Sequence, residues 1–330
     1  MAQGTILVTG GAGYIGSHVV RQLGERGEKV LVLDNLSTGF RESVLYGDLV
    51  EGDTGDLELV SRLLQDYKVD TVMHFAAHTI VPESVSNPLK YYRNNTSNTR
   101  SLLECCQNAG VKHFVFSSTA AVYGEPKNPA MDETAPTQPI NPYGMSKLMS
   151  EIMLRDLAKA CPMRHVILRY FNVAGSDPQG RIGQRTAKAT LLTKVAVETA
   201  VGKRSQVAIY GTDYETPDGT GIRDYIHVED LAGAHLKALD YLRNNGESVI
   251  LNAGYGHGYS VREVLEMVGK VNGAPLKIVE EGRRAGDPPA LIAIADKIRA
   301  TLGWQPQYDN LEEIVRSALQ WERKMLEETR

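Results

Sequence analysis

Thr5-Ile-Leu-Val-Thr-Gly-Gly-Ala-Gly-Tyr-Ile-Gly16 is the stretch that decides the fold. A short apolar run reads as a buried strand and stops at glycines. Helical spacing then runs from Tyr14 to Arg26, and Gly27 stops it. Gly10, Gly13 and Gly16 satisfy one dinucleotide spacing, and Gly11, Gly13 and Gly16 satisfy another. One glycine permits the tight turn, one lets backbone approach a pyrophosphate, and one lets helix and strand pack closely. The helix that follows aims its first amides at phosphate charge.

Working outward, Lys29-Val-Leu-Val-Leu33 reads as a second buried strand that ends at Asp34, 18 residues beyond Gly16. A carboxylate there accepts both ribose hydroxyls of adenosine and repels a 2′-phosphate, which favours NAD over NADP. Helical spacing over Leu57–Tyr67, Tyr92–Ala109 and Tyr143–Ala160 alternates with apolar runs at Thr71–Ala76, His113–Ser118 and His165–Tyr170. Apolar strands separated by helices imply a parallel sheet covered on both faces. The expected fold is α/β: a doubly wound parallel Rossmann sheet with a smaller α/β substrate-binding domain. Residues 1–172 and about 224–252 are assigned to the first, and about 173–223 and 253–330 to the second. The assignment follows a change of rhythm after Asn172. Three loop stretches, 175–190, 213–221 and 282–289, interrupt short elements there, while Ser248–Asn252 reads as a strand that rejoins the large sheet.

At 330 residues, 42% apolar and 23% charged, the chain reads as an ordinary soluble globule. A net charge of −4 gives no reason to expect nucleic acid or an acidic membrane as partner. No apolar run spans a bilayer, and with a strand expected to start at Thr5 no signal peptide is expected. Cys105, Cys106 and Cys161 show no metal-ligand spacing and no even disulfide framework. A reducing cytoplasm is therefore expected.

The chemistry centres on Tyr143-Gly-Met-Ser-Lys147. Residues four apart share a helix face. A lysine charge beside a phenol favours the phenolate, which is a usable base at neutral pH. Lowering a tyrosine from its usual value to about 7 takes about 4 kcal/mol. Lys147 and a positive nicotinamide are the expected sources. Ser117, Ser118 and Thr119 end a strand at the C-terminal sheet edge, where a hydroxyl can relay a proton to Tyr143. Asp53 suits either the adenine amine or the turn Gly52-Asp-Thr-Gly-Asp56. Phe75, Ala76 and Ala77 suit either cofactor approach or plain packing. His74 and His227 lie in apolar runs and read as structural histidines.

Five motifs carry a family resemblance: Thr9-Gly-Gly-Ala-Gly-Tyr-Ile-Gly-Ser-His18, Ser117-Ser-Thr-Ala-Ala-Val-Tyr-Gly124, Asn141-Pro-Tyr-Gly-Met-Ser-Lys147, Arg169-Tyr-Phe-Asn172 and Asp218-Gly-Thr-Gly-Ile-Arg-Asp-Tyr-Ile-His-Val228. The chain resembles the UDP-glucose 4-epimerases of the extended short-chain dehydrogenase/reductase family, from about Thr5 to Trp321. The resemblance implies a tightly held NAD and a UDP-sugar whose C4 lends a hydride and takes it back. It implies Tyr143, Lys147 and Thr119 as catalytic residues. The implied cofactor contacts are Gly10, Gly13, Tyr14, Ile15, Gly16, Asp34, Asn35, Asp53 and Thr54 on the adenosine and pyrophosphate side. Toward the nicotinamide they are Phe75, Ala76, Ala77, Asn94, Ser117, Tyr170, Tyr143 and Lys147. Thr119, Tyr143, Asn172, Leu192, Ala208 and Tyr210 are implied for the substrate, with Arg223, Arg284, Asp287 and Leu291. Guanidinium forks suit a diphosphate. A homodimer through the helices Tyr92–Ala109 and Tyr143–Ala160 is also implied.

Two departures touch substrate choice. Leu191 stands where the family usually shows asparagine or histidine, so one polar contact to the ligand is missing or replaced. Leu291 stands where bulk limits space around the sugar's 2-substituent, and relatives carry tyrosine, cysteine or serine there. The expectation is a preference for UDP-glucose and UDP-galactose, with UDP-pentoses or UDP-N-acetylhexosamines as alternatives. A 4,6-dehydratase needs an acid beside the hydroxyl, and Ala120 and Ala121 follow Thr119 instead. A non-catalytic NAD-sensing protein on this fold is disfavoured by the intact Tyr143/Lys147 pair.

Overall fold

A computed structural model describes residues 4–126, 128–186, 189–284 and 287–328. Parts of the 175–190 and 282–289 loops, both singled out above, lie outside the described residues. Seven of the described strands form one sheet: β1 (Thr5–Thr9), β2 (Val30–Asp34), β3 (Asp48–Glu51), β4 (Val69–His74), β5 (His113–Ser117), β6 (Arg164–Tyr170) and β7 (Val249–Ala253). The order is 3-2-1-4-5-6-7, and every neighbouring pair is parallel. The chain reverses its direction of sheet growth between β1 and β4. A crevice opens outside the strand ends at such a point. Both the glycine turn after β1 and the Ala76–Ala77 segment after β4 lie there.

The helices follow from their ends. α1 (Tyr14–Glu25) starts at Gly13, and α2 (Leu57–Asp66) is capped by the Asp56 carboxylate, which accepts from the Leu59 amide at 3.0 Å. The segment Tyr92–Ala109, read as one helix, opens with a π-helical turn over Tyr92–Ser97. It then continues as α3 (Asn98–Ala109) to Gly110, whose φ of +70° closes it. α4 (Pro142–Ala160) has proline in its first turn and an Asn141 cap. α5 (Val228–Arg243) crosses the sheet face beside α1.

The later residues build short strands rather than one large sheet. Ile222–Arg223, Tyr259–Ser260, Ala290–Ala293 and Ala130–Met131 form a four-stranded sheet. Val207–Tyr210 pairs with Ile278–Glu281, and Asn172–Ala174 with Tyr225–His227. One apolar core runs without a break from Val8 and Val20 through Leu231 to Val264 and Leu319. The later residues are thus packed into the same core as the large sheet. No described helix is long and apolar enough to cross a membrane.

Buried histidines lend the fold a pH dependence. Burial lowers His74 to about 3, and His165, His227 and His235 each to about 4. These values lie below the unfolded value of about 6.5. The unfolded chain therefore binds more protons once pH falls beneath that value. The stability is whole above it and drains away toward about pH 4. Thermal melts should show a clearly lower Tm at about pH 5 than at about pH 7.5. An unchanged Tm would contradict the buried neutral state.

Candidate active site

The turn after β1 is made by close approach. Gly10 has φ of +71°, and a Cβ there would stand 2.5 Å from the Ala76 amide nitrogen. A Cβ on Gly16 would run into the Gly10 carbonyl oxygen. Gly13 opens α1 with no side-chain cap, and no acidic residue stands in the first turn. Tyr14 and Ile15 pack against the core. The Tyr14 hydroxyl donates to the Gly175 carbonyl at 2.6 Å, so what these residues offer a ligand is backbone amide. An uncapped helix start beside a glycine cradle suits a pyrophosphate.

Asp34 ends β2 and is buried. Its carboxylate accepts from the Ala12 and Leu36 amides, each at 2.9 Å. Burial raises its pKa, against those two hydrogen bonds. It fixes the turn and keeps lone pairs for a ribose. Asp53 takes part in its own turn. It accepts from Gly55 at 2.8 Å, Asn98 at 2.7 Å and Asn35 at 3.1 Å, while Thr54 is buried next to it. Phe75 packs on the His235 ring, and its amide donates to the Thr9 carbonyl.

The catalytic candidates meet where β5 ends. Ser117 Oγ lies 2.8 Å from the Tyr170 hydroxyl, and the Lys147 ammonium donates to the Ser117 carbonyl at 2.8 Å. Thr119 caps the short 3-10 turn Ala120–Tyr123 and hydrogen-bonds Tyr143. Gly144 lets α4 come this close, since a Cβ there would stand 2.5 Å from the Ala121 carbonyl oxygen. Tyr143 and Lys147 are both buried. Burial raises the Tyr143 pKa, with the Thr119 hydrogen bond pulling the other way. Burial lowers Lys147 to about 7, with Glu151 opposing. Of the two expected sources of a lowered phenol pKa, Lys147 alone does not outweigh burial. The protein surroundings by themselves hold both groups toward neutrality.

The substrate candidates fall into two further groups. Arg223 pairs with Asp287 at 2.5 Å. Leu291 sits opposite Arg223 in a parallel register and packs against the cluster of Ala120, Val122 and Phe171, beside Thr119. The Arg284 guanidinium lies 3.6 Å from the Tyr210 ring centroid, on the strand that also carries Ala208. Asn172 hydrogen-bonds Tyr225. Leu192 begins the helix Leu192–Ala200, and Leu191 is its exposed cap.

Two features escaped sequence reasoning. Asn95, in the π-turn beside Asn94, grips the backbone of His78 on both sides and donates to Ser146 at 3.1 Å. It ties the segment after β4 to α4. Glu151 continues the four-residue spacing of Tyr143 and Lys147, and that spacing was the available signal.

A dinucleotide cradle with a buried tyrosine, lysine and threonine at the sheet edge defines a nicotinamide-dependent short-chain oxidoreductase fold. The family described as NAD dependent epimerase/dehydratase matches residues 6–254, and the chain belongs to it. A protein of Azospirillum brasilense named UDP-glucose 4-epimerase is 57% identical over 97% of this chain and 92% of its own. The Brucella ovis UDP-glucose 4-epimerase, solved in complex with NAD, is 43% identical at a TM-score of 0.94, covering 97% of this chain and 99% of that one. The Campylobacter jejuni UDP-Glc/GlcNAc 4-epimerase is 52% identical at a TM-score of 0.86, covering 98% of this chain and all of that one.

The close approach at Gly10 makes a direct test. Gly10→Ala forces a side chain into a left-handed backbone and against Ala76, at a cost of about 1–3 kcal/mol. Calorimetry should show a lower Tm and at least tenfold weaker NAD binding, while unchanged NAD affinity would contradict the cradle.

Proposed function

We propose that this protein is an NAD-dependent epimerase that inverts C4 of a UDP-sugar through a transient 4-keto sugar. The observation that carries this is the buried Thr119–Tyr143–Lys147 corner beside the glycine turn, with Leu291 joining it to the Arg223–Asp287 side. NAD, when bound, accepts the C4 hydride, returns it, and brings a positive ring to the site. Gly10, Gly13, Gly16 and Asp34 would hold it, with Asn94, Tyr170 and Lys147 toward the nicotinamide.

Tyr143 takes the proton of the sugar's 4-hydroxyl, and Thr119 relays it. Lys147 supplies the nearby positive charge. Arg223 and Arg284 take the diphosphate and uridine, with Asp287 released from its ion pair or shared. Tyr210 and Ala208 form the floor beneath the base, while Asn172 and Leu192 line the anchored end. Anchoring one end leaves the sugar free to turn and offer its other face, so binding energy is spent away from the reacting carbon. Ala120 and Ala121, buried or half-buried beside Thr119, supply no acid for dehydration.

Plain UDP-glucose and UDP-galactose are the preferred pair on this reading, because Leu291 packs toward the Thr119 turn. The name of the Campylobacter relative makes UDP-N-acetylglucosamine the informative competitor. Exposed Val85, Leu89, Met149 and Ile152 lie on α4 and the short helices packed against it. They support a homodimer through this face. Free Cys105, Cys106 and Cys161 support a reducing cytoplasm.

Purified protein given UDP-galactose and no added NAD should yield UDP-glucose. Tyr143→Phe should cut kcat by about 10²–10⁴-fold. UDP-N-acetylglucosamine should turn over far more slowly, and equal kcat/KM for both sugars would refute the preference. Light scattering should return the mass of two protomers; a single-protomer mass would contradict the dimer.

A further inference from the structure

Glu151 lies one turn beyond Lys147 on α4 and is wholly buried. Its Oε1 accepts from Ser118 Oγ at 2.5 Å and from Arg169 Nε at 3.0 Å. Its Oε2 accepts from Arg169 Nη2 at 2.6 Å. Arg169, on β6, also donates to the Tyr123 hydroxyl at 3.1 Å, which donates to Asn252 of β7 at 2.7 Å. One carboxylate thus joins α4, the residue after β5, β6, the 120–123 turn and β7.

A buried carboxylate without partners would give up its charge. The two-pronged guanidinium bond gives this one its partner. Replacing such a pair by apolar side chains is often neutral or stabilising, so fold stability alone does not explain it. Its place does. Lys147 faces the Ser117 carbonyl and the Phe116 ring from β5. His74, from β4, is neutral near pH 7. Tyr143 is on its own helix, Tyr170 faces Ser117 from β6, and Arg169 contributes a second positive charge. Glu151 stands one helical turn from Lys147 on the same buried face of α4, where a carboxylate favours the ammonium.

We propose that Glu151 is a positioning residue, whose carboxylate, fixed by Arg169 and Ser118, keeps Lys147 protonated beside Tyr143 and pins the Ser118–Thr119 corner. The proposal rests on the reading of Tyr143 and Lys147 as the catalytic pair. The direction of the effect follows. Lys147 loses its charge as pH rises through its pKa, and burial already draws that value down to about 7. Removing the neighbouring negative charge draws it lower still. The alkaline limb of kcat then moves to lower pH.

The experiment is the pH profile of kcat and KM for UDP-galactose in wild type, Glu151→Gln, Glu151→Asp, the double variant Glu151→Gln/Arg169→Met, and Lys147→Met. The double variant leaves no buried charge unpaired. Glu151→Gln should show the alkaline limb displaced downward by about one pH unit. At about pH 8.5 its kcat should fall about tenfold with KM nearly unchanged. The double variant also loses the Arg169 charge, so its limb should return most of the way to that of wild type. Glu151→Asp, with a shorter reach, should fall between wild type and Glu151→Gln. A folded Glu151→Gln with the wild-type limb overturns the proposal. So does loss of folding in both Gln-bearing proteins together with a wild-type profile in Glu151→Asp. Activity in Lys147→Met would instead overturn the catalytic pair itself, which keeps the two failures apart.

Discussion

Burial of a phenol and an ammonium in one dry corner is the constraint on which this site depends. Low dielectric opposes charge on both, so Tyr143 is raised and Lys147 is lowered to about 7. A phenol that burial keeps protonated must be ionised by something charged nearby before it can act as a base. The corner accordingly collects polar groups: the Ser117 carbonyl, the Thr119 hydroxyl and, one turn on, the Glu151–Arg169 pair. A cationic ring docked beside the phenol would complete the set. On the proposed reading the phenolate forms only with the cofactor in place, which couples the acid–base step to the redox step.

Backbone contact supplies the geometry. Gly10 presses on the Ala76 amide, and Gly144 lets α4 descend onto Ala121. These approaches set the glycine turn of β1 next to the segment after β4, and Tyr143 next to Thr119. Asn95 adds a clamp from the π-turn, holding His78 and Ser146 at once. Side-chain chemistry at the sheet edge is therefore positioned by rigid elements, as precise sites require. The continuous core, running from Val8 to Leu319, carries the later loops on the same frame.

Much of this was legible from the sequence. Strand runs such as Thr5–Thr9 are apolar on both faces, and glycines or caps mark the helix ends, so the large sheet and its order of elements could be read directly. Tyr143 and Lys147 could be paired because helix periodicity is local. The short strands could not be read in the same way. Two-residue pieces such as Ile222–Arg223 and Ala130–Met131 carry no periodicity, and long-range pairing alone makes them strands. Arg169 and Glu151 meet across β6 and α4, a contact no local pattern announces. The opposing effect of burial on the phenol was not legible for a related reason: spacing shows that a charge is near but says nothing of how deeply the pair is buried.

The central claim is that the Tyr143 phenol becomes a base near neutral pH once the positive nicotinamide joins it. The direct measurement is an ultraviolet difference titration of tyrosinate in the NAD-bound protein, with Tyr143→Phe as the blank. The account predicts one phenolate, absent from the blank, that titrates near neutrality. A Tyr143 signal that appears only above the ordinary tyrosine range, with NAD bound and turnover intact, would contradict it.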